Sequence, residues 1–350
     1  MVQYINEIIR TNYKCNRKCK FCNVLKTNNY GVVDVSDGEV INKILEIARK
    51  YNEDQLKYVT ISFSGGEPLM NKNLEKYIKL AKKIGIGTVE IQTNGILLIN
   101  NKFKINKLYD AGLDEIFIAQ HSHKNDVNYS LGCFLDTKKL EERVFYVKKN
   151  NIYTHEKNQH GVSIYLNIVI TKINLPYLKE FLLYLKKIGF IDLIEPRHHF
   201  DGNGNLEKVT RKISLGFVQP HGYAWEYGKE VLLDFNDEQK RYIEELINYC
   251  EENDLLPDIH FVGPPLCLMY YPKYNLEYNR LKKIEEDKKK GLQNDENIDT
   301  FRVLQKEKSK LKECERCKYN KFCLGIYKAR LEFFGEEYAR KKINEFIKKQ

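Results

Sequence analysis

The chain has 350 residues, 42% of them apolar and 30% charged, with a net formal charge of +10. That composition supports a sizeable core and excludes disordered and fibrous classes, and no apolar run approaches the roughly 18 residues of a membrane-spanning helix. The lysines are interleaved with Asp and Glu rather than gathered into a patch, which argues against a nucleic-acid binder.

The opening stretch MVQYINEIIRTNYKCNRK lacks the apolar segment of a secretory signal. The expected location is therefore cytoplasmic, where thiols stay reduced.

Along the chain, short β-branched runs alternate with longer amphipathic stretches. Strands are expected at 7–12, 57–63, 88–93, 114–119, 163–170 and 190–195, and helices at 38–51, 72–84, 101–111, 136–150 and 175–188. In the last of these, Leu175, Tyr177, Leu178, Phe181, Leu182 and Leu185 fall mostly on one face. Six strands separated by five helices form a βα series, which calls for an α/β fold with a parallel sheet. Right-handed crossovers can curl that sheet into a partial (βα)6 TIM-like barrel over residues 1–200.

The rhythm changes at the turn-rich DGNGN of 201–205. From there, 201–350 reads as a C-terminal, cysteine-rich, largely helical extension. It has a strand at 213–218, a helix at 236–253, a short strand in DIHFVGPPLC, and helix over 276–313 with a loop near Asn294. A closing amphipathic helix is expected from Gly325.

The nine cysteines fall into two clusters and three singles. In a reducing compartment such clusters point to metal rather than disulfides. Cys15, Cys19 and Cys22 follow the first strand on a loop at a strand's C-terminal end, where barrel enzymes place their chemistry. Three thiolates there can hold three irons of a [4Fe–4S] cube and leave one iron open. Zinc suits the triplet poorly, because a structural zinc takes four protein ligands.

The triplet, with Phe21 before its third Cys, resembles the signature of the radical S-adenosylmethionine (radical SAM) superfamily. Ser64-Gly65-Gly66-Glu67-Pro68 after the second strand resembles that superfamily's GGEP motif, and Thr93-Asn94-Gly95 after the third resembles its TNG motif. The resemblance implies that SAM binds the open iron and that an electron donor such as flavodoxin or ferredoxin reduces the cluster. SAM then splits to methionine and a 5′-deoxyadenosyl radical that takes hydrogen from a substrate. It further implies that Gly65 and Gly66 present backbone to SAM, that Glu67 supports the loop, and that Thr93 or Asn94 binds SAM or substrate.

Gln120 and Ser122, alternating with His121 and His123 at the end of the fourth strand, resemble the family's polar strand end near SAM. Asn167, inside an apolar strand, resembles the family's ribose-binding position. Its bland alternative is a core amide satisfied by backbone. Arg197, His198 and His199 follow the expected sixth strand. Arg197 could pair a carboxylate, and His199 or His121 could move a proton. These are the catalytic candidates, with His221 a weaker one, and a solvated loop is the alternative for 197–199.

Cys314, Cys317 and Cys323 form C-x₂-C-x₅-C, with Cys267 the expected fourth ligand. A Cys₄ zinc site and a fully ligated cluster compete here. The spacing resembles the twitch and SPASM domains of radical SAM enzymes, and implies one auxiliary [4Fe–4S] cluster. Cys133 and Cys250 read as packed or free thiols. The expected activity is peptide or protein modification. Small-molecule or cofactor biosynthesis is the alternative, followed by RNA modification. A non-enzymatic iron–sulfur or zinc protein would not need the ordered GGEP and TNG loops.

Overall fold

The computed structural model describes residues 5–24, 34–100, 104–133, 138–139, 142, 162–189, 197–200, 206–210, 213–253, 255, 259–289 and 305–350. It divides into two compact units. The first comprises Met1–Cys19, Val24–Ile168 and Glu180–Lys212, and the second Lys20–Asn23, Val169–Lys179 and Ile213–Gln350.

In the first unit, strands β1 (Ile5–Arg10), β2 (Val59–Ser64), β3 (Thr88–Thr93), β4 (Glu115–Ala119) and β5 (Ser163–Ile170) pair in parallel in chain order. Helices intervene because apolar residues recur at helical spacing. In helix Asp37–Lys50, Val40, Ile44 and Ile47 are buried, and a Ser36–Glu39 capping box fixes its start. The register aligns Arg10 with Ser64, and Thr93 with Ile118. The loops after β1, β2, β3 and β4 therefore leave from one edge of the sheet. That edge is the C-terminal one, which positions the cysteine loop beside the glycine and TNG loops.

β5 passes into the second unit at Val169. There Val218 donates its N–H to the Ile170 carbonyl, and β8 (Ile213–Phe217) pairs in parallel with β9 (Ile259–Val262). The sheet has seven strands in the order β1-β2-β3-β4-β5-β8-β9, an α/β partial TIM-like fold. The strand following β5 in the sheet is thus β8, a segment that the sequence reading places beyond the barrel series. The expected strand at 190–195 lies outside the described residues, as do the DGNGN turn, most of the 136–150 helix and the loop near Asn294.

Three local expectations are corrected. Residues 197–200 are not a loop: β6 (Arg197–Phe200) pairs antiparallel with β7 (Leu206–Thr210). The 276–313 stretch is helical over Leu276–Lys289, but Lys308–Ser309 (β10) pairs antiparallel with Ile326–Tyr327 (β11). The closing helix is two helices, Lys328–Phe334 and Glu336–Ile347, broken at Gly335. That glycine has φ of +85°, a left-handed conformation that a helix interior cannot hold. Amphipathic periodicity continues across the break, so the sequence alone does not reveal it.

Candidate active site and a second thiol site

In the first unit, Glu67 is the organising group. It is fully buried and accepts hydrogen bonds from the Thr93 hydroxyl (2.6 Å), the Asn94 N–H (2.8 Å) and the Leu69 N–H (3.0 Å). Burial pushes its carboxyl up, and those three donors pull it back. The Glu67 carboxylate therefore ties the loop after β2 to the loop after β3.

The glycines tie the same loop to the cysteine loop. Gly66 donates to the Asn12 carbonyl (2.9 Å) and Glu67 to the Lys14 carbonyl (2.7 Å), while the Asn12 amide donates to the Glu67 carbonyl (3.0 Å). A Cβ at Gly65 would lie 2.2 Å from the Asn12 carbonyl oxygen, and one at Gly66 would lie 2.2 Å from that of Lys14. The glycines are thus required by the close approach of residues 12–14.

Asn94 carries the connection to the thiols. Its amide donates to the Asn16 side chain (2.7 Å) and lies 3.7 Å from the Cys15 sulfur. The Cys15 sulfur also accepts the Arg17 N–H at 3.4 Å. Cys15 and Cys19 are half-buried. The Cys133 thiol lies 3.2 Å from the Cys19 sulfur, and this contact, followed by burial, pushes the Cys19 thiol well up. The sequence leaves Cys133 as an isolated thiol. Its partner becomes visible only once Gly132 packs against the Lys18 carbonyl.

Beyond β4, the strand ends at Ala119, so the alternation expected through 120–123 does not apply. Gln120, His121 and Ser122 are all buried. The Gln120 N–H donates to the Asn167 carbonyl, and the Ser122 carbonyl accepts from the Asn128 amide. The Ser122 hydroxyl accepts the Lys124 N–H. His121 is held neutral, its pKa pushed down to about 3 by burial and by the Arg17 charge. His123 bonds Glu180 (3.2 Å) and stacks on Tyr184. Asn167 is half-buried on the β5 face that also carries Tyr165. The backbone of Arg197 and His199 lies in β6, paired with Thr210 and Lys208; their side chains lie outside the described residues.

Arg17 has no distinguishing signal in the sequence, where it reads as one more basic loop residue. The structure buries it to 3% exposure.

The second unit contains Phe21 and Cys22. The Cys22 carbonyl accepts the Tyr223 N–H at 2.9 Å, and Gly222, at φ +58°, leaves room for that carbonyl. Lys20 pairs with Glu230 at 2.6 Å. The QPHGYAW loop is therefore a backbone clamp on this part of the cysteine loop. His221 sits edge-on to Tyr327.

In the same unit Cys267, Cys314, Cys317 and Cys323 line one small cavity with Pro265, Ile326 and Phe346. Ile326, Ala339 and Ile343 form the apolar cluster against which Cys267 and Cys314 pack. Burial, then the nearness of the other three sulfurs, pushes the Cys267 thiol up. Cys323 is pushed up to about 11, mainly by burial. Burial also pushes the Cys314 thiol up, and thiols that resist ionisation in an apolar cavity are suited to a cationic metal centre, whose charge supplies the missing stabilisation of thiolate. Among the described residues, no three His, Cys, Asp or Glu side chains converge tightly enough to hold a single metal ion. Cys250 lies elsewhere, buried on helix Asp237–Glu252, with its thiol pushed up to about 12 by burial and the charge of Glu251.

Comparison with known proteins adds to this geometry. Residues 9–153 match the family model of the radical SAM superfamily. The chain is 32% identical over 166 residues to an S-adenosylmethionine-dependent nucleotide dehydratase of Lacinutrix mariniflava, a match covering 46% of this chain and 32% of that protein. It is 28% identical over 218 residues to a GTP 3′,8-cyclase of Staphylococcus aureus, covering 59% of each. The chain thus spans between about a third and three fifths of the length of these relatives.

Among solved structures, Streptococcus suis SuiB bound to its precursor peptide SuiA superposes with TM-score 0.57 at 15% identity, covering 95% of this chain and 73% of that one. Native anSMEcpe with bound AdoMet superposes with TM-score 0.56 at 14% identity, covering 98% and 99%. These last two likenesses are of fold.

Proposed function

Taking as premise that the chain belongs to the radical SAM superfamily, we propose that it reductively cleaves SAM and abstracts hydrogen from a peptide or protein substrate. The observation that carries the reading is the cysteine loop bound, through Gly66, Glu67 and Asn94, to the GGEP-like and TNG-like loops at one edge of a parallel sheet.

The donor set fits the family's cluster: the Cys15 sulfur already receives an N–H and an amide, and Arg17 brings a buried positive charge to the loop. When bound, a [4Fe–4S] cluster and SAM supply one-electron cleavage to methionine and 5′-deoxyadenosine, the adenosyl carbon taking its hydrogen from the substrate. The chain's part is to hold and exclude. Cys15, Cys19 and Cys22 would ligate three irons, Glu67 fixes the two flanking loops, and burial and the Arg17 charge keep His121 neutral. Gln120, Ser122 and Asn167 are proposed on the SAM side.

In the second unit we propose one auxiliary [4Fe–4S] cluster on Cys267, Cys314, Cys317 and Cys323. Sulfurs around a cavity, rather than crowded onto one point, favour a cube over tetrahedral zinc. Four protein ligands leave no iron open, so its role is electron transfer to or from a substrate radical.

The peptide reading is supported by the fold shared with SuiB over nearly the whole chain. A nucleotide substrate is the second reading, favoured by identity to the dehydratase and the cyclase. Two measurements test these readings. Anaerobic reconstitution followed by reduction with SAM should yield 5′-deoxyadenosine and methionine. S-adenosylhomocysteine alone, from cluster-loaded protein, would overturn it. Deuterium transfer into 5′-deoxyadenosine from a labelled peptide, rather than from a labelled nucleotide, distinguishes the substrates.

A further inference from the structure

Arg17 is a buried cation that forms no ion pair with a carboxylate among the described residues. Its Nη1 donates to the Ala119 carbonyl at 3.2 Å. Its Nε and Nη2 are shut off from solvent and have no hydrogen-bond partner among the described residues. Arginine does not shed its proton, and a buried charge lacking both a counter-ion and full hydrogen bonding is strongly unfavourable. Glu67 feels this charge, but its carboxylate is occupied by Thr93, Asn94 and Leu69. His121, the other neighbour that feels it, is neutral.

What this position lacks is negative charge, and a thiolate-ligated iron–sulfur cluster carries it. Reduction of the cluster adds one more unit, and net charge and hydrogen bonds to sulfur are among the factors that set such a cluster's potential. The same residue also donates its backbone N–H to the Cys15 sulfur at 3.4 Å.

We propose that Arg17 is the buried counter-charge of the cluster held by the first cysteine loop, and that it raises the cluster's reduction potential by stabilising the reduced form. The inference rests on the cluster of the proposed function, which it deepens. Arg17 acts through the cluster, so it is a positioning residue and not a catalytic one.

The test is a redox titration, followed by electron paramagnetic resonance, of the reconstituted full chain carrying Arg17→Met or Arg17→Lys. Cys267→Ala in the background isolates the first cluster's signal. R17M should take up the electron at least tenfold less favourably, a negative shift of about 59 mV for one electron. R17K should stay within about threefold of the parent. Equal potentials in all three, or R17K falling as far as R17M, would overturn the proposal. If R17M does not hold iron, the chain with Arg17 intact supplies the reading. With nitrogen-15 placed only in arginine guanidinium groups, electron–nuclear double resonance of the reduced cluster should show a coupled nitrogen, and its absence overturns the proposal. Failure of the parent chain to bind iron at the first loop is a different result, because it removes the proposed function itself.

Discussion

The two thiol sites are built on opposite principles. In the first unit, Cys15 and Cys19 stand in a polar setting of backbone and amide donors, a buried arginine and a buried carboxylate that fastens two loops. In the second, four cysteines surround an apolar cavity, beside the packed rings of Tyr270, Tyr319, Phe346, Tyr278 and Phe322. Three ligands, as proposed for the first loop, would leave a position for a small molecule to coordinate, and the polar groups are those that would tune and orient it. Four ligands, as proposed for the apolar pocket, would close the coordination and limit solvent access. The contrast teaches that, under the ligand sets proposed above, ligand count and surroundings agree at each site: exchange chemistry at the first, electron transfer at the second.

Replacing Cys15, Cys19 and Cys22 by alanine breaks the contrast most severely. The reconstituted chain should fall from about eight irons to about four, and 5′-deoxyadenosine should drop to background. Full iron retention would mean that the first loop is not a cluster site. The converse variant, Cys267→Ala, should keep SAM cleavage while losing the second site's iron. If it instead keeps about eight irons, the fourth ligand is misassigned; if the parent binds about four irons and one zinc, the auxiliary cluster gives way to zinc.

A smaller effect is expected at Gly66. An alanine methyl would meet the Lys14 carbonyl oxygen at 2.2 Å and the Tyr13 carbonyl oxygen at 2.5 Å. Both contacts are backbone, so the cysteine loop must move. Displaced supporting groups around metal sites typically cost about 10- to 100-fold in affinity. Gly66→Ala should therefore weaken iron retention against a chelator about tenfold at the first site and leave the second unchanged. Equal loss at both sites would signal a general folding defect instead.

Much of this was legible in the sequence, for physical reasons that can be named. The parallel core strands are short apolar runs separated by amphipathic helices, so the pattern carries both period and order. The cysteine, GGEP-like and TNG-like segments could be placed at strand ends because each directly follows such a run. What was not legible depends on tertiary contact. Arg17 and Cys133 gain their surroundings only from residues some hundred positions away, at Ala119 and Cys19. The QPHGYAW loop reads as an ordinary turn until its backbone bonds Cys22. The pairing of β10 with β11 involves two residues each, too short for any periodic signal. Gly335 is invisible as a break because both flanking helices keep the same apolar rhythm.

The mildest functional effect concerns the polar interior of the first unit, which has no parallel at the second site. Glu90 on β3 faces Glu115 on β4 in exact register, and both are buried. The Ser62 hydroxyl and the Gln92 amide donate to the Glu90 carboxylate. Burial first, and then the charge of Glu115, push Glu90 up from 4.5 to about 7, against the opposing effect of those two donors. A raised carboxyl pKa means that the folded chain binds this proton more tightly than the unfolded chain does. Its contribution to stability is therefore complete below about pH 4.5 and is lost as pH rises through about 7. The difference, 7 − 4.5, is 2.5 pKa units, or about 3 kcal/mol at roughly 1.36 kcal/mol per unit. Glu90→Gln fixes the neutral form. Relative to the parent, its equilibrium unfolding free energy should gain about 3 kcal/mol between pH 4.5 and 8. Iron content and SAM cleavage at pH 7 should stay within about twofold of the parent, since neither carboxylate is placed at a thiol. A parent–variant difference that does not change with pH would show that Glu90 titrates as an ordinary solvated carboxylate.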